Sequence, residues 1–420
     1  MKELLVTIIA ATHILLYSED FAQRSKKCIR DFTRNRKVGF TRTMQFLLNF
    51  VRKSMQVEVD EFYDRLKLPR EERATMDAFI KARAKVKPSA FVEIFRASAD
   101  ACLASDEFPT VNGYRVFAVD GSTLILEGTK DILQHARAME GTPTRAAARA
   151  SVLCEVHTGA LIDAEIDSDR IDERTLAERH LTRFFAGKQE KDVALLDRGY
   201  PSKKLIHAFF KNRGYFLMRV CRSFNPTIDR MAHGEQLVTL HYKGEGMVVR
   251  AVKFLLPSGE EETLITNLPT EDFQSSSLAA LYNLRWGVET TYDTLKTKMQ
   301  LERFSGRLWD FVLQDFFATM FLLNIIAVAA QVINQDIARR NLGKTLKHPH
   351  VVSRNVLIGK LKRFVMRAVS ARTASARSFH LNRLLLEASK SYDCLRPGRP
   401  GPSRRSPPSR LFSVRRKPAI

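Results

Sequence analysis

The protein has 420 residues, enough for roughly two to three domains with buried cores. Hydrophobic residues make up 45% of the chain and charged residues 27%, which excludes a chain disordered throughout. The 68 basic residues exceed the 46 acidic ones by 22. An excess of that size attracts polyanions, either phosphate backbones through counterion release or anionic membrane surfaces.

Cys28, Cys102, Cys154, Cys221 and Cys394 are scattered, odd in number and free of any CxxC pair. That is the usage of reduced thiols, and with the basic charge it points to a cytoplasmic, nucleoid-associated protein. Met1 to Leu16 lacks a small-residue cleavage site and reads as a packed helix rather than a signal peptide. Phe316 to Ile333 reaches the length of a membrane span, but Asn324 and Gln331 interrupt it and no second span accompanies it. It reads as a core helix, and no membrane partner is expected.

From Arg24 to Lys37 the sequence RSKKCIRDFTRNRK sets seven basic residues against Asp31. The wider segment Ala22 to Arg96 carries 19 basic and 9 acidic residues over apolar patterns at helical spacing, such as FVEIFRASADACL. Residues 1–108 are therefore expected to form an all-helical basic domain for DNA binding, with Arg30, Arg34, Arg36 and Lys37 as candidate contacts. After Pro109 the texture changes. Tyr114 to Val119 reads as a buried strand ending at Asp120, where Gly121 turns the chain. Val152–Val156 and Ala160–Ile166 flank a Thr158-Gly159 turn as a hairpin. A helix from Glu173 to Phe185, a strand Val193–Leu196 stopping at Asp197, a helix Leu205–Phe210 and a strand Tyr215–Val220 follow. Three meandering strands and then β-α-β make a mixed α/β sheet with flanking helices.

Residues 221–269 return to strand alternation (LVTLHY, MVVRAVKFLL, ETLIT), with Gly244 and Gly246 at a turn. From Ser275 the chain becomes helical through Gln300 and onward, closing a catalytic domain over 109–340. Residues 341–394 read as a helical C-terminal region and candidate dimerisation segment. Residues 395–420, with eight basic and no acidic side chains among many prolines, read as a disordered basic tail.

The residues that carry chemistry are carboxylates. Asp120 and Asp197 each follow an apolar run and precede a glycine (DGS, DRGY), so neighbouring strand ends would present oxygen ligands for a divalent cation. Either one alone would more simply cap a turn. In LYNLRWGVETTYDTLKTKMQ, Tyr282, Arg285, Glu289 and Lys296 fall on one helix stripe about 60° wide at about 100° per residue. The acid and Lys296 lie two turns apart instead of pairing at i, i+4.

The spacing Tyr-x2-Arg-x3-Glu-x6-Lys, together with VDGS at Asp120, LDRGY at Asp197 and CIRDFTRNRK near the amino terminus, resembles the DDE transposases of the bacterial insertion sequence 4 family. The resemblance covers the chain from about residue 20 to the basic tail. It implies a ribonuclease-H-like catalytic domain with a β-rich insertion before the glutamate helix, filling the gap between Asp197 and Glu289. It implies that Asp120, Asp197 and Glu289 are the catalytic triad holding two Mg²⁺ (or Mn²⁺) ions, and that Tyr282, Arg285 and Lys296 grip DNA phosphates. The expected function is cut-and-paste transposition by strand cleavage and strand transfer. Its expected partners are DNA, both terminal inverted repeats and target, and a second copy of the chain as a homodimer in the DNA complex.

Other constellations are weaker. The acidic run Asp163, Glu165, Asp167, Asp169, Asp172, Glu173 lacks the order of a calcium loop and reads as a strand exit and helix start. His348 and His350 have no partners at zinc spacing. GKTL at Gly343 lacks the upstream glycine of a phosphate-binding loop. A non-catalytic DNA binder derived from a transposase, or a host ribonuclease-H-like nuclease, are the alternatives to a transposase.

Overall fold

The computed structural model describes residues 1–49, 52–256 and 258–395, so beyond Leu395 the expected basic tail lies outside the described residues. The amino-terminal part is helical: α1 (Lys2–Tyr17), α2 (Glu19–Ser25), α3 (Phe40–Leu47), α4 (Met55–Leu66), α5 (Met76–Arg83) and α6 (Ser89–Leu103). Ser18 caps α2 by accepting from Phe21 N, and Thr75 caps α5 by accepting from Ala78 N. The basic stretch departs from expectation. Residues 26–39 form turns and irregular chain between α2 and α3, placing Arg30, Arg34, Arg36 and Lys37 on a loop. Clustered like charges oppose a helix there, and Ile29 is left 85% exposed for want of an apolar face to join.

Next come β1 (Thr110–Val111), β2 (Tyr114–Glu127), α7 (Ile132–His135), β3 (Arg137–Met139), β4 (Thr142–Glu155), β5 (Leu161–Ser168), α8 (Glu173–Gly187), β6 (Asp192–Leu196), α9 (Lys203–Lys211) and β7 (Tyr215–Arg219). The insertion holds α10 (Pro226–Arg230), β8 (Gly234–Tyr242), β9 (Glu245–Leu255) and β10 (Glu261–Thr266). Its hairpin turns at Lys243 and Gly244, whose φ values of 50° and 84° are the left-handed pair of a two-residue turn. Helix α10 was not legible as strand or helix, but Asn225 caps it from Thr227 N and Ile228 N, with Pro226 in its first turn.

The strand order is β3-β4-β2-β6-β7-β10-β9-β8, with β5 on β4 and β1 on β2. Within it, β5-β4-β2-β6-β7 is the ribonuclease-H-like arrangement: the first three strands meander, and β6 and β7 then run parallel to β2 and to each other. The insertion extends this sheet, because β10 pairs antiparallel with β7. Strand β2 corrects one expectation. It continues through Asp120 to Glu127, so Asp120 is interior to a strand and Gly121 does not turn the chain. Gly121 keeps an extended backbone, and Thr123, Leu124, Ile125 and Leu126 supply a second run of strand-forming side chains.

The last elements are α11 (Ser275–Asn283), α12 (Trp286–Asp293), a π-helical turn (Thr294–Lys298), α13 (Trp309–Arg340), β11 (His350–Val352), α14 (Arg354–Ser370), α15 (Ala374–Ala388) and β12 (Tyr392–Cys394). The chain divides into two compact units that are not contiguous in sequence, unlike the successive segments expected. One comprises Met1–Cys102, Leu124–Ala148 and the chain from Thr294 onward; the other comprises Leu103–Thr123 and Arg149–Asp293.

In the first unit α13 is the core helix, and its most apolar stretch is 89% buried. Asn324, the polar interruption, donates to Ser98 Oγ at 3.1 Å. Arg83 is also buried, with Asp315 at 3.0 Å and Gln314 at 2.7 Å satisfying its guanidinium.

In the second unit the parallel pairing of β2 with β6 is pinned by a buried ion pair. Arg115 Nε and Nη2 donate to Asp192 Oδ1 and Oδ2, both at 2.7 Å, and the side chains are 3% and 0% exposed. Asp192→Asn should strand a buried guanidinium and destabilise the protein by about 3–5 kcal/mol. Urea unfolding at neutral pH checks this, and an unshifted midpoint would remove the pair from the account of register.

Candidate active site

Strand register brings the two aspartates together. Arg115 lies opposite Asp192 and Ala118 opposite Leu195, the last pair of the ladder; Asp120 and Asp197 each lie two residues beyond it, and Asp120 feels the charge of Asp197. Neighbouring strands are about 4.8 Å apart, and residues level with each other in a parallel pair face the same side. Asp197 leaves the end of β6 into the turn Arg198-Gly199-Tyr200, where Arg198 N donates to its Oδ1 at 2.7 Å and Tyr200 N to its carbonyl at 3.0 Å.

Glu289 reaches the same unit from the first turn of α12, a position at which a carboxylate also faces the helix's positive end. Helix α12 can approach because two glycines leave room for it. A Cβ on Gly287 would stand 2.3 Å from the carbonyl oxygen of Val156, in the turn between β4 and β5. A Cβ on Gly159, which has φ +77° in that turn, would stand 2.9 Å from Thr291 Oγ1. Tyr292 finishes the docking, donating to the carbonyls of Asp120 at 3.1 Å and Ala150 at 3.3 Å.

The charges are arranged around Arg285. Its Nη2 lies 3.1 Å from Glu289 Oε1, its side chain is 7% exposed, and its positive charge is felt by Asp120, Asp197 and Glu289 together. Tyr282, 3% exposed, donates from its hydroxyl to Asp197 Oδ1 at 3.0 Å. The two aspartates are consequently driven apart in acidity. Burial, against the pull of Arg285 and with the like charges of Glu289 and Asp197, pushes Asp120 up to about 6. Burial pushes Asp197 the same way, but the Arg198 N–H, Arg285 and Tyr282 outweigh it and hold Asp197 below the ordinary range.

These contacts correct the picture of a regular helix stripe. Helix α11 ends at Asn283, and the bonds Arg285 N to Tyr282 O and Val288 N to Arg285 O are of the tighter i→i+3 kind. After Asp293 the chain widens into the π turn, closed by Met299 N to Thr294 O at 2.8 Å. One angle per residue therefore does not describe Tyr282 to Lys296. Glu289 also has an i, i+4 partner after all, Arg285. Tyr282, Arg285 and Glu289 come together with the aspartates in one unit, whereas Lys296 belongs to the other. There burial lowers its pKa, opposed by Glu302.

Sequence reasoning passed over Glu173, Tyr200 and Tyr292. A Cβ on Gly121 would meet both the Glu173 carboxylate and the Tyr200 hydroxyl at 3.5 Å, so these groups border Asp120. Glu173 had been read only as a helix start. The acidic run preceding it ligates nothing in common: among the described residues, no group of three or more His, Cys, Asp or Glu side chains closes to metal-holding distance.

The candidate triad shares that openness, its carboxylates disposed about a guanidinium. Its donors nonetheless suit a hard divalent cation, being all oxygen. Two buried polar atoms beside them, Tyr200 Oη and Arg285 Nε, have no hydrogen-bond partner and mark polar room at the site.

The other unit holds a basic pocket of about 750 Å³ between the 26–39 loop and α5. Seven lysines and arginines line it, among them Arg30, Arg34, Arg36 and Lys37, against the single acid Asp77. All four of these predicted residues are exposed.

Residues 111–325, just over half of the chain, match the family described as transposase DDE domain. Among solved structures, a piggyBac transposase synaptic complex with hairpin DNA, determined by cryo-EM, is similar at 12% identity and a TM-score of 0.49, over 94% of this chain and 87% of that one. No curated protein matches.

Two outcomes follow from this geometry. Gly287→Ala should cost about 1–3 kcal/mol of stability, because a backbone carbonyl rather than a flexible side chain must yield; thermal unfolding identical to the native chain would show that α12 is not held so tightly. The raised Asp120 carboxyl makes the folded state bind a proton that the unfolded chain releases, so stability should fall as pH rises from about 4 to about 6. Asp120→Asn, unfolded in urea without divalent ions, should gain over the native chain at pH 7.5 and show little difference at pH 4.

Proposed function

The chain belongs to the transposase DDE-domain family, and from that premise we propose that it performs cut-and-paste transposition of an insertion sequence, cleaving and joining DNA strands at terminal inverted repeats. We assign it to the Tyr-Arg-Glu-Lys branch, the insertion sequence 4 family, on the spacing of Tyr282, Arg285, Glu289 and Lys296. The observation that carries the reading is the arrival of Asp120 and Asp197 at the same end of the β2–β6 pair, with Glu289 on the helix whose Tyr292 donates to the Asp120 carbonyl.

Asp120, Asp197 and Glu289 would hold two Mg²⁺ (or Mn²⁺) ions, which supply Lewis acidity to the attacking and leaving oxygens of an in-line displacement. The chain's own groups do the placing. Asp197 is held ionised by Arg198 N–H, Arg285 and Tyr282. Asp120 must give up its proton to become a ligand, which its surroundings make harder in the absence of a cation. Arg285 is the mobile countercharge: once the carboxylates are otherwise neutralised, its guanidinium is free to take a DNA phosphate, with Tyr282 as a neighbouring donor. Lys296 would add a phosphate contact.

The +22 charge and the basic pocket at Arg30, Arg34, Arg36 and Lys37 support DNA as the partner. We further propose that the chain acts as a homodimer on paired ends, in the cytoplasm at the nucleoid. Asp120→Asn and Glu289→Gln should each keep binding to duplexes carrying the element's ends, measured by gel shift, and lose Mg²⁺-dependent strand cleavage. Full cleavage by either purified variant would defeat the assignment.

A further inference from the structure

Behind Asp120 runs a chain of buried side chains that the chemistry above does not use. Asp163 on β5 is 3% exposed, and its Oδ2 lies 2.9 Å from His180 Nδ1 on α8. His180 is fully buried, and its Nε2 lies 2.9 Å from Ser151 Oγ on β4. Ser151 Oγ then donates to the carbonyl oxygen of Asp120 at 3.2 Å. Arg183 Nε approaches the far oxygen of Asp163 at 3.9 Å.

Serine, histidine and an acid in this order are the residue types of a nucleophilic triad, but burial excludes that use. Ser151 is 1% exposed, so no substrate can reach it. The contacts give a different role. Asp163 accepts from the His180 ring, and Ser151 Oγ, which can both donate and accept, links that ring to the main chain of Asp120. The three contacts form one continuous buried series ending on Asp120.

Its end point matters because the pairing with β6 stops short of it. The last parallel pair of β2 with β6 is Ala118 with Leu195, and Asp120 lies two residues beyond. Its carbonyl oxygen takes side-chain donors instead, Ser151 from one direction and Tyr292, three residues after Glu289, from another. We propose that Asp163, His180 and Ser151 are positioning residues, a buried chain that fixes the main chain of Asp120 and so holds its carboxylate beside Asp197 and Glu289. The proposal rests on the assignment of Asp120 to the metal-holding triad.

The test uses the full chain with Ser151→Ala, which removes one oxygen, and His180→Gln. The readouts are Mg²⁺ titrated by calorimetry without DNA, end binding, and single-turnover cleavage. Loss of an outer support of a metal ligand typically lowers metal affinity or activity by about 10–100-fold. Both variants should therefore bind ends as the native chain does, bind Mg²⁺ about 10-fold more weakly, cleave more slowly at limiting Mg²⁺, and recover at excess Mg²⁺.

Native Mg²⁺ affinity in a folded Ser151→Ala chain would overturn the proposal, and the serine variant decides if His180→Gln does not fold. Asp120→Asn run in parallel separates the two levels. If that variant cleaves normally the triad assignment itself fails; if it is inactive while Ser151→Ala behaves as native, only the positioning chain fails.

Discussion

The candidate site depends first on a register. In a parallel pair the hydrogen bonds are evenly spaced, and the pairing at one end of two strands dictates which residues meet at the other. Here the near end is set by Arg115 and Asp192, a bidentate pair too deeply buried to be remade one residue out of step. A one-residue slip would also turn every side chain of β6 to the opposite face. Holding that near end brings Asp120 and Asp197 out at the same end of the pair, each two residues past its last rung, although neither contacts the pair that aligns them. A buried ion pair of this kind contributes little net stability, and its value here is that it admits a single alignment.

Convergence of like charges then has to be tolerated. Burial and the two neighbouring carboxylates push Asp120 up to about 6, while Asp197, with an N–H, a phenol and a guanidinium as partners, stays ionised. Arg285 prevents the group from repelling itself apart, and it does so without drawing the oxygens to a common point. Among the described residues no carboxylate cluster closes to metal-holding distance, although all three acids share one unit. Residues expected to act only on a phosphate thus have a prior part in the protein alone: Arg285 balances Glu289, and Tyr282 orients Asp197.

Much of this was legible in the sequence, and the failures have physical causes. Short apolar runs ending in Asp120 and Asp197 located two acids, and the alternation after Cys221 located the insertion strands. The end of β2 was misplaced because an Asp-Gly pair is a strong turn signal, and nothing local shows that a second β-forming run will carry the strand through it. The Tyr282 to Lys296 stripe was drawn with a constant angle per residue; tight i→i+3 bonds on one side of α12 and a π turn on the other are set by packing against the β4–β5 turn, which a one-dimensional pattern does not contain. Arg30, Arg34, Arg36 and Lys37 were correctly singled out as a basic cluster, but summed helical spacing over the wider segment concealed that these four lie on a loop.

The residues missed altogether, Glu173, Tyr200, Tyr292 and His180, share a property: each acts on Asp120 or its surroundings across the fold, from a helix or turn remote in sequence. A strand can present a carboxylate, but its lateral support ends where its ladder ends, and at Asp120 that happens on the β6 side two residues too early. The fold compensates with side chains from α8 and α12 converging on one carbonyl oxygen, either through Ser151 or directly from Tyr292. Gly287 and Gly159 permit this by letting α12 descend onto the β4–β5 turn. The same descent that delivers the Glu289 side chain therefore also delivers the hydroxyl that steadies Asp120, so two of the three carboxylates are located by a single docking event and the third by strand register.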